Sequence, residues 1–116
     1  AIQGEANLKF DGSTLTVTGG VVHAITAAKT SAYDATVSDY IIAVNTTGGT
    51  VEITLPATHT AGQTFIVKDT AGTADSNAFT VTCDDADTID GESTQTINSE
   101  YGSITVVSNG TNWFIV

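Results

Sequence analysis

Apolar and polar residues alternate in short runs along most of this chain, and clusters of Gly, Asp and Asn separate the runs. That two-residue period, with no stretch repeating apolar residues at helical spacing, predicts strands and little or no helix. The last run is the clearest. From Ser103 to Val116, two apolar-rich segments meet at Asn109-Gly110, a pair that supplies the positive φ angles of a two-residue type I′ loop. Such a loop sets Val106 opposite Trp113 and Ile104 opposite Ile115, so one face carries Ile104, Val106, Trp113 and Ile115. The other face carries Val107, Phe114 and Val116 beside Thr105 and Asn112. A ribbon apolar on both faces needs cover on both, which assigns Val107, Phe114 and Val116 to an interface with another chain.

The same reading divides the rest of the chain. Residues 1–30 form an N-terminal connector or shaft-like β segment: Asp11-Gly12 is a turn, Leu15 to Thr18 a short strand, Gly19-Gly20 a break and Val21 to Thr26 a further strand candidate. This section has too few large apolar residues to close a core alone. Residues 31–116 form the compact β domain. There, Gly48-Gly49 reads as a hairpin loop pairing Val44 with Ile53 and Ile42 with Leu55, with Ala43, Asn45, Glu52 and Thr54 on the opposite face. Pro56 ends the second strand of that pair, because proline cannot donate to a ladder. Phe65 and Val67 share one face of the next strand, Phe79, Val81 and Cys83 one face of the strand after it, and an acidic loop spans residues 84–94. Short strands between Gly- and Asp-rich turns predict an all-β fold, an antiparallel β-sandwich or jelly-roll-like barrel.

Charge narrows the partners. The 116 residues include thirteen acidic and three basic side chains, a formal net charge of −10, which repels phosphate backbones and anionic bilayers. Neither nucleic acid nor membrane insertion is expected, and no apolar run reaches spanning length. A lone Cys83 allows no internal disulfide, as in a protein made in a reducing compartment. The first residue is Ala1 rather than Met, which suggests a processed product or a fragment.

Taken in order, several segments resemble a known class of proteins. They are Ser38-Asp39-Tyr40-Ile41-Ile42, Val51 to Ala57, Ala61 to Asp69, Thr88-Ile89-Asp90-Gly91, and Tyr101-Gly102-Ser103 running on to Ser108 through Val116. Together they resemble the terminal modules of tailed-bacteriophage tail-fibre and related virion structural proteins. Asn7 to Gly19 is similar to a segment common in such fibres just before a terminal domain. The resemblance implies a non-enzymatic, trimeric β-module at the tip or junction of a virion appendage, in contact with other virion proteins and assembled in the host cytoplasm. It transfers no catalytic residue, since the matching positions are turns and core.

Candidate chemistry is sparse. Asp85, Asp87 and Asp90 are the only plausible metal ligands, being hard oxygens in a flexible loop, but their spacing is wrong for an EF-hand and self-bonded aspartate turns are the better reading. No cofactor is expected. His23 and His59 share no metal-ligand spacing with each other or with Cys83. His23 lies in a strand candidate, where three copies could meet around a trimer axis, and His59 is expected to be exposed. Cys83 continues the Phe79-Val81 face and reads as a small buried hydrophobe. No nucleophile, base and orienting group assemble in the sequence, so no enzyme is expected. Tyr33 and Tyr101 are candidate receptor contacts, whether to a host-surface glycan or protein, while Tyr40 is expected to pack. The alternatives to a scaffold are therefore a receptor- or glycan-binding tip and a capsid-decoration module.

Overall fold

The computed structural model describes residues 7–116, so residues 1–6 of the expected connector lie outside the described residues. The strands are β1 (Leu8–Phe10), β2 (Leu15–Val17), β3 (Tyr33–Asp34), β4 (Ile41–Val44), β5 (Val51–Leu55), β6 (Thr64–Asp69), β7 (Phe79–Cys83), β8 (Thr94–Ile97), β9 (Ser103–Ser108) and β10 (Trp113–Ile115). No helix occurs among the described residues. β1 and β2 pair with each other alone, and the other eight strands make two four-stranded sheets: sheet I, ordered β10-β9-β6-β4, and sheet II, ordered β3-β5-β7-β8. The expected all-β sandwich is present.

Its sheets are mixed rather than antiparallel throughout. From β4 to β7 the chain alternates between sheets with every strand, so strands two apart in sequence become neighbours pointing the same way. β4 pairs with β6 and β5 with β7 in parallel, as β3 does with β5. The hairpin expected at Gly48-Gly49 accordingly does not form: Ile42 lies beside Val67 in sheet I and Ile53 beside Val81 in sheet II. A two-residue loop cannot cross the ~10 Å between packed sheets, and residues 45–50 are held as a longer arch instead. Thr46 is fully buried, its hydroxyl 2.9 Å from that of Thr73, and its carbonyl accepts the Asn77 side-chain amide at 3.0 Å.

Alternation puts Ile42, Val44, Phe65, Val67, Ile104, Val106 and Trp113 of sheet I on the inner face, against Val51, Ile53, Leu55, Phe79, Val81 and Ile97 of sheet II. Each of these side chains is withdrawn from water, a gain of about 1.5–3 kcal/mol for full burial of a large one. The C-terminal hairpin has the expected faces in a different register. Trp113 pairs with Ser108 and Phe114 with Val107, because the loop is four residues long: the Asn109 N–H donates to the Asn112 carbonyl, and the Asn109 side-chain oxygen accepts from the N–H groups of Thr111 and Asn112. The slip from the expected pairing is two residues, so side-chain parity survives. Ile115, expected inside, is 41% exposed at the end of β10.

Two further findings concern the edges. Ala24 to Lys29 runs beside β4, bonded through Thr26 N–H to the Ile41 carbonyl, Ile41 N–H to the Ala24 carbonyl and Lys29 N–H to the Ala43 carbonyl. The chain thus joins the sandwich at Ala24, earlier than the boundary expected near residue 30. At the end of β6, Asp69 is fully buried, and its carboxylate accepts the backbone N–H groups of Ala71, Gly72, Ala74 and Tyr101 at 3.0–3.1 Å. Burial alone would raise its pKa, but the four donors outweigh it and hold the carboxyl below the ordinary value.

Asp69→Ala leaves those N–H groups without their acceptor, and we expect a loss of about 2–3 kcal/mol in urea unfolding at neutral pH. Because the folded-state pKa is depressed, the contribution is full above the unfolded-state value near ~3.9 and disappears as pH falls through the lower folded value. The gap between wild type and Asp69→Asn should therefore narrow below pH ~4, which urea melts at stepped pH will read.

Candidate functional site

The sandwich has two poles. Loops 45–50, 70–78 and 98–102 meet at the Asp69 end, and loops 56–63, 84–93 and 109–112 at the other. At that second pole His59, expected to be exposed, has a side chain only 3% exposed. Its Nδ1 bonds to the Ser108 hydroxyl, its Nε2 lies 2.8 Å from an Asp87 carboxylate oxygen, and its ring tilts over Trp113 at 4.6 Å between centroids. An ionised Asp87 can only accept, so Nε2 donates to it, and Nδ1 pairs with the Ser108 hydroxyl. The Ser108 oxygen in turn accepts the Gly110 N–H at 2.8 Å.

Ser108, His59 and Asp87 have the connectivity of a hydrolase triad, which sequence reasoning missed because 28 and 49 residues separate His59 from its two partners. The setting is that of a clasp. Ser108 is 3% exposed, and a nucleophile has to meet its substrate. What the three residues do accomplish is to tie the β5–β6 loop, the acidic loop and the end of β9 to one point. The Trp113 indole N–H, buried beside them, has no acceptor among the described residues.

The acidic loop is built by its own side chains. Asp85 accepts the Asp87 N–H at 2.9 Å, Asp87 is taken by His59, and Asp90 accepts the Ile115 N–H at 3.1 Å from a left-handed backbone with φ 51°. The three candidate metal ligands therefore face different partners, and no cluster of three His, Cys, Asp or Glu side chains converges among the described residues. Residues 88–90 also bond along β10, Trp113 N–H to the Thr88 carbonyl and Asp90 N–H to the Trp113 carbonyl, which covers a strand edge otherwise open to pairing. Cys83 packs against the core, half-buried. Burial first, then the Asp87 and Asp85 charges, push its thiol up to about 11, so it stays protonated and inert at neutral pH.

The two candidate receptor tyrosines differ. Tyr33 packs on the core with its hydroxyl donating to Asp39 at 2.8 Å, and the Lys29 ammonium sits 3.9 Å from its ring centroid. Its hydroxyl and one ring face are thus already engaged. Tyr101, by contrast, is 54% exposed. It stands on a left-handed backbone, φ 54°, with its N–H on Asp69 and its carbonyl accepting from Lys68. Its ring lies so close over Gly72 that a Cβ there would come within 2.5 Å of it. His23 is exposed and stacks on half-buried Tyr40 at 4.2 Å. A pocket of about 80 Å³ beside that stack, lined by Ala24–Thr26 and Asp39–Ile41, has room for only a few waters.

The outer faces of the two sheets are chemically opposite. In sheet II, register aligns Asp34, Thr54, Thr82 and Thr94 in one row and Glu52, Thr80 and Thr96 in the next. In sheet I the rows are Ile41, Ile66 and Thr105, then Thr64, Val107 and Phe114. Phe114 is 41% and the adjoining Val116 74% exposed. Lys68 is the only charged side chain pointing outward from the strands of sheet I. In a molecule of net charge −10, this is an apolar surface free of carboxylates, and it contains all three residues assigned from sequence to an interface, Val107, Phe114 and Val116.

Compared with known proteins, the chain matches no family model and no curated relative.

Replacing His59 with Ala removes both hydrogen bonds and the contact with Trp113, for an expected cost of about 2–4 kcal/mol, while Ser108→Ala costs about 1 kcal/mol. Equal and negligible effects of both in urea melts would refute the clasp. For Cys83, we expect maleimide labelling at neutral pH to run roughly 10²-fold slower in the folded protein than in urea.

Proposed function

We propose that this chain is a non-enzymatic structural module of a tailed-bacteriophage virion, a tip or junction domain of a tail fibre or spike that assembles as a homotrimer. The resemblance of its ordered segments to such modules supports the biological part. The observation that carries the physical part is the outer face of sheet I, where Ile41, Ile66, Val107 and Phe114 lie in adjacent rows without a carboxylate among them. Like-charged copies repel wherever their acidic surfaces meet. They can associate where charge is absent and apolar side chains are withdrawn from water, at about 25 cal/mol per Å². Neighbouring virion proteins are the remaining partners, and the virion, assembled in the host cytoplasm, is the place of action.

One observation favours a second reading, recognition of a host-surface glycan or protein by the tip. The Tyr101 ring is displayed at the Asp69 pole on a backbone whose N–H is bonded to buried Asp69 and whose carbonyl accepts from Lys68, and a pre-oriented exposed aromatic suits a receptor contact. Binding on a glycan array that disappears in Tyr101→Ala supports that reading, and silence favours the scaffold.

For self-association the decisive measurement is mass. Native mass spectrometry or light scattering at micromolar concentration should find a trimer for the wild type and a folded monomer for Phe114→Asp. Added salt should tighten the assembly, since it screens repulsion between copies and leaves the apolar contact intact. A wild type that stays monomeric across salt concentrations would remove the proposal.

A further inference from the structure

The β1–β2 hairpin has a side that the described residues leave uncovered. Leu8 stands opposite Val17 and Phe10 opposite Leu15, and alternation places these four side chains on one face, with Lys9 and Thr16 on the other. Phe10 is 69%, Leu15 55% and Val17 40% exposed. Asp11 shapes the turn, its side chain accepting the N–H groups of Ser13 and Thr14 at 2.9 and 2.7 Å. Even so, two strands of three residues each fall below the size at which a hairpin is stable by itself in water. A register this regular, on a hairpin this short, calls for a surface against its apolar side.

We propose that this surface is the same hairpin in other copies of the chain, so that the Leu8, Phe10, Leu15 and Val17 faces close on one another around a common axis. Charge selects this occupant. The molecule carries −10 overall, yet the hairpin's apolar face bears none, its charges being Lys9 on the reverse side and Asp11 in the turn. Identical faces can therefore meet without bringing like charges together, and the match needs no complementary surface elsewhere. Area sets the conditions. The exposed parts of these side chains amount to roughly 300 Å² per copy, so three copies together only approach the ~1,000 Å² of a specific interface. The contact thus rests on the sheet I association proposed above, which holds the copies near one another. The segment between Val17 and Ala24 then acts as a tether that raises the effective concentration of one hairpin for the next.

Disulfide trapping in the full chain tests this. In a Cys83→Ser background, Phe10→Cys places a thiol on the apolar face and Lys9→Cys places one on the reverse face. Leu15→Cys repeats the first arm with Phe10 retained. Under a mild oxidant at micromolar protein, Phe10→Cys and Leu15→Cys should form covalent dimers at least about tenfold faster than Lys9→Cys, because facing thiols have an effective concentration far above that in bulk. Equal rates at the two faces, or no link at either, overturn the proposal. Native mass spectrometry of the unoxidised proteins separates the two associations. An oligomer without the apolar-face link sinks the hairpin contact alone, and a monomer without it sinks both. A face-selective link in a protein otherwise monomeric shows the hairpins meeting transiently through these faces, which retains the choice of partner, and discards the sheet I reading on which a lasting contact rests.

Discussion

Phe65, Trp113 and Ile42 of sheet I meet Ile53, Leu55 and Phe79 of sheet II in a layer wholly closed to solvent, and every other feature is arranged around it. A two-layer sandwich of this size has one interior, and these side chains with their smaller neighbours fill it. Polar groups then close the two open ends of the layer: the Asp69 carboxylate at one pole, and His59 with Ser108 and Asp87 at the other. Each draws loops distant in sequence onto a buried point and satisfies backbone or side-chain groups that would otherwise be stranded there. Sheet II meets water through threonines and acids. What remains without a partner among the described residues is the outer face of sheet I and one face of the β1–β2 hairpin.

Side-chain parity was legible in the sequence, and strand pairing was not. The inward residues of β4, β5, β6, β7 and β9 follow from alternation alone, as do the two apolar faces of the C-terminal ribbon. Parity is a local property, set by the extended backbone whatever the neighbouring strand. Pairing depends on loop geometry. At Gly48-Gly49 the dipeptide signals a turn, but the deciding interaction is the burial of Thr46 against Thr73, a residue 27 positions away that no local pattern reveals. At Asn109-Gly110 the turn is real, and the Asn109 side chain lengthens it by bonding to Thr111 and Asn112.

The polar clasps were illegible for the same reason. Asp69 ends a strand and opens a polar loop, so on sequence it is one more acidic residue in a chain that has thirteen Asp and Glu. Its burial and its four donors exist only once β6, the following turn and Tyr101 are in place. His59, in a loop between Pro56 and Gly62, looked exposed because nothing nearby in sequence covers it, and its cover, Trp113, arrives from the last strand. The acidic loop was legible in part. Its sequence predicts aspartates bonded into their own turns rather than to a metal, and Asp85 is so bonded, whereas Asp87 goes to the histidine and Asp90 to the edge of β10, partners that lie far away in sequence.

The proposed self-association sets solubility against assembly in so acidic a protein, and the distribution of charge here is compatible with both. Thirteen acidic against three basic side chains keep separate molecules apart. Dispersed over every surface, they would also keep subunits apart. Among the described residues they are instead concentrated in the polar loops and on sheet II, apart from the buried Asp69, leaving the strands of sheet I with a single outward cation, Lys68, whose ammonium is occupied by the Tyr101 carbonyl. Repulsion from the remaining surfaces then acts against every mutual orientation except those that bring uncharged faces together. In the proposed assembly, the acidity that limits indiscriminate contact would thereby set the geometry of the specific one, with apolar burial supplying affinity and charge supplying orientation.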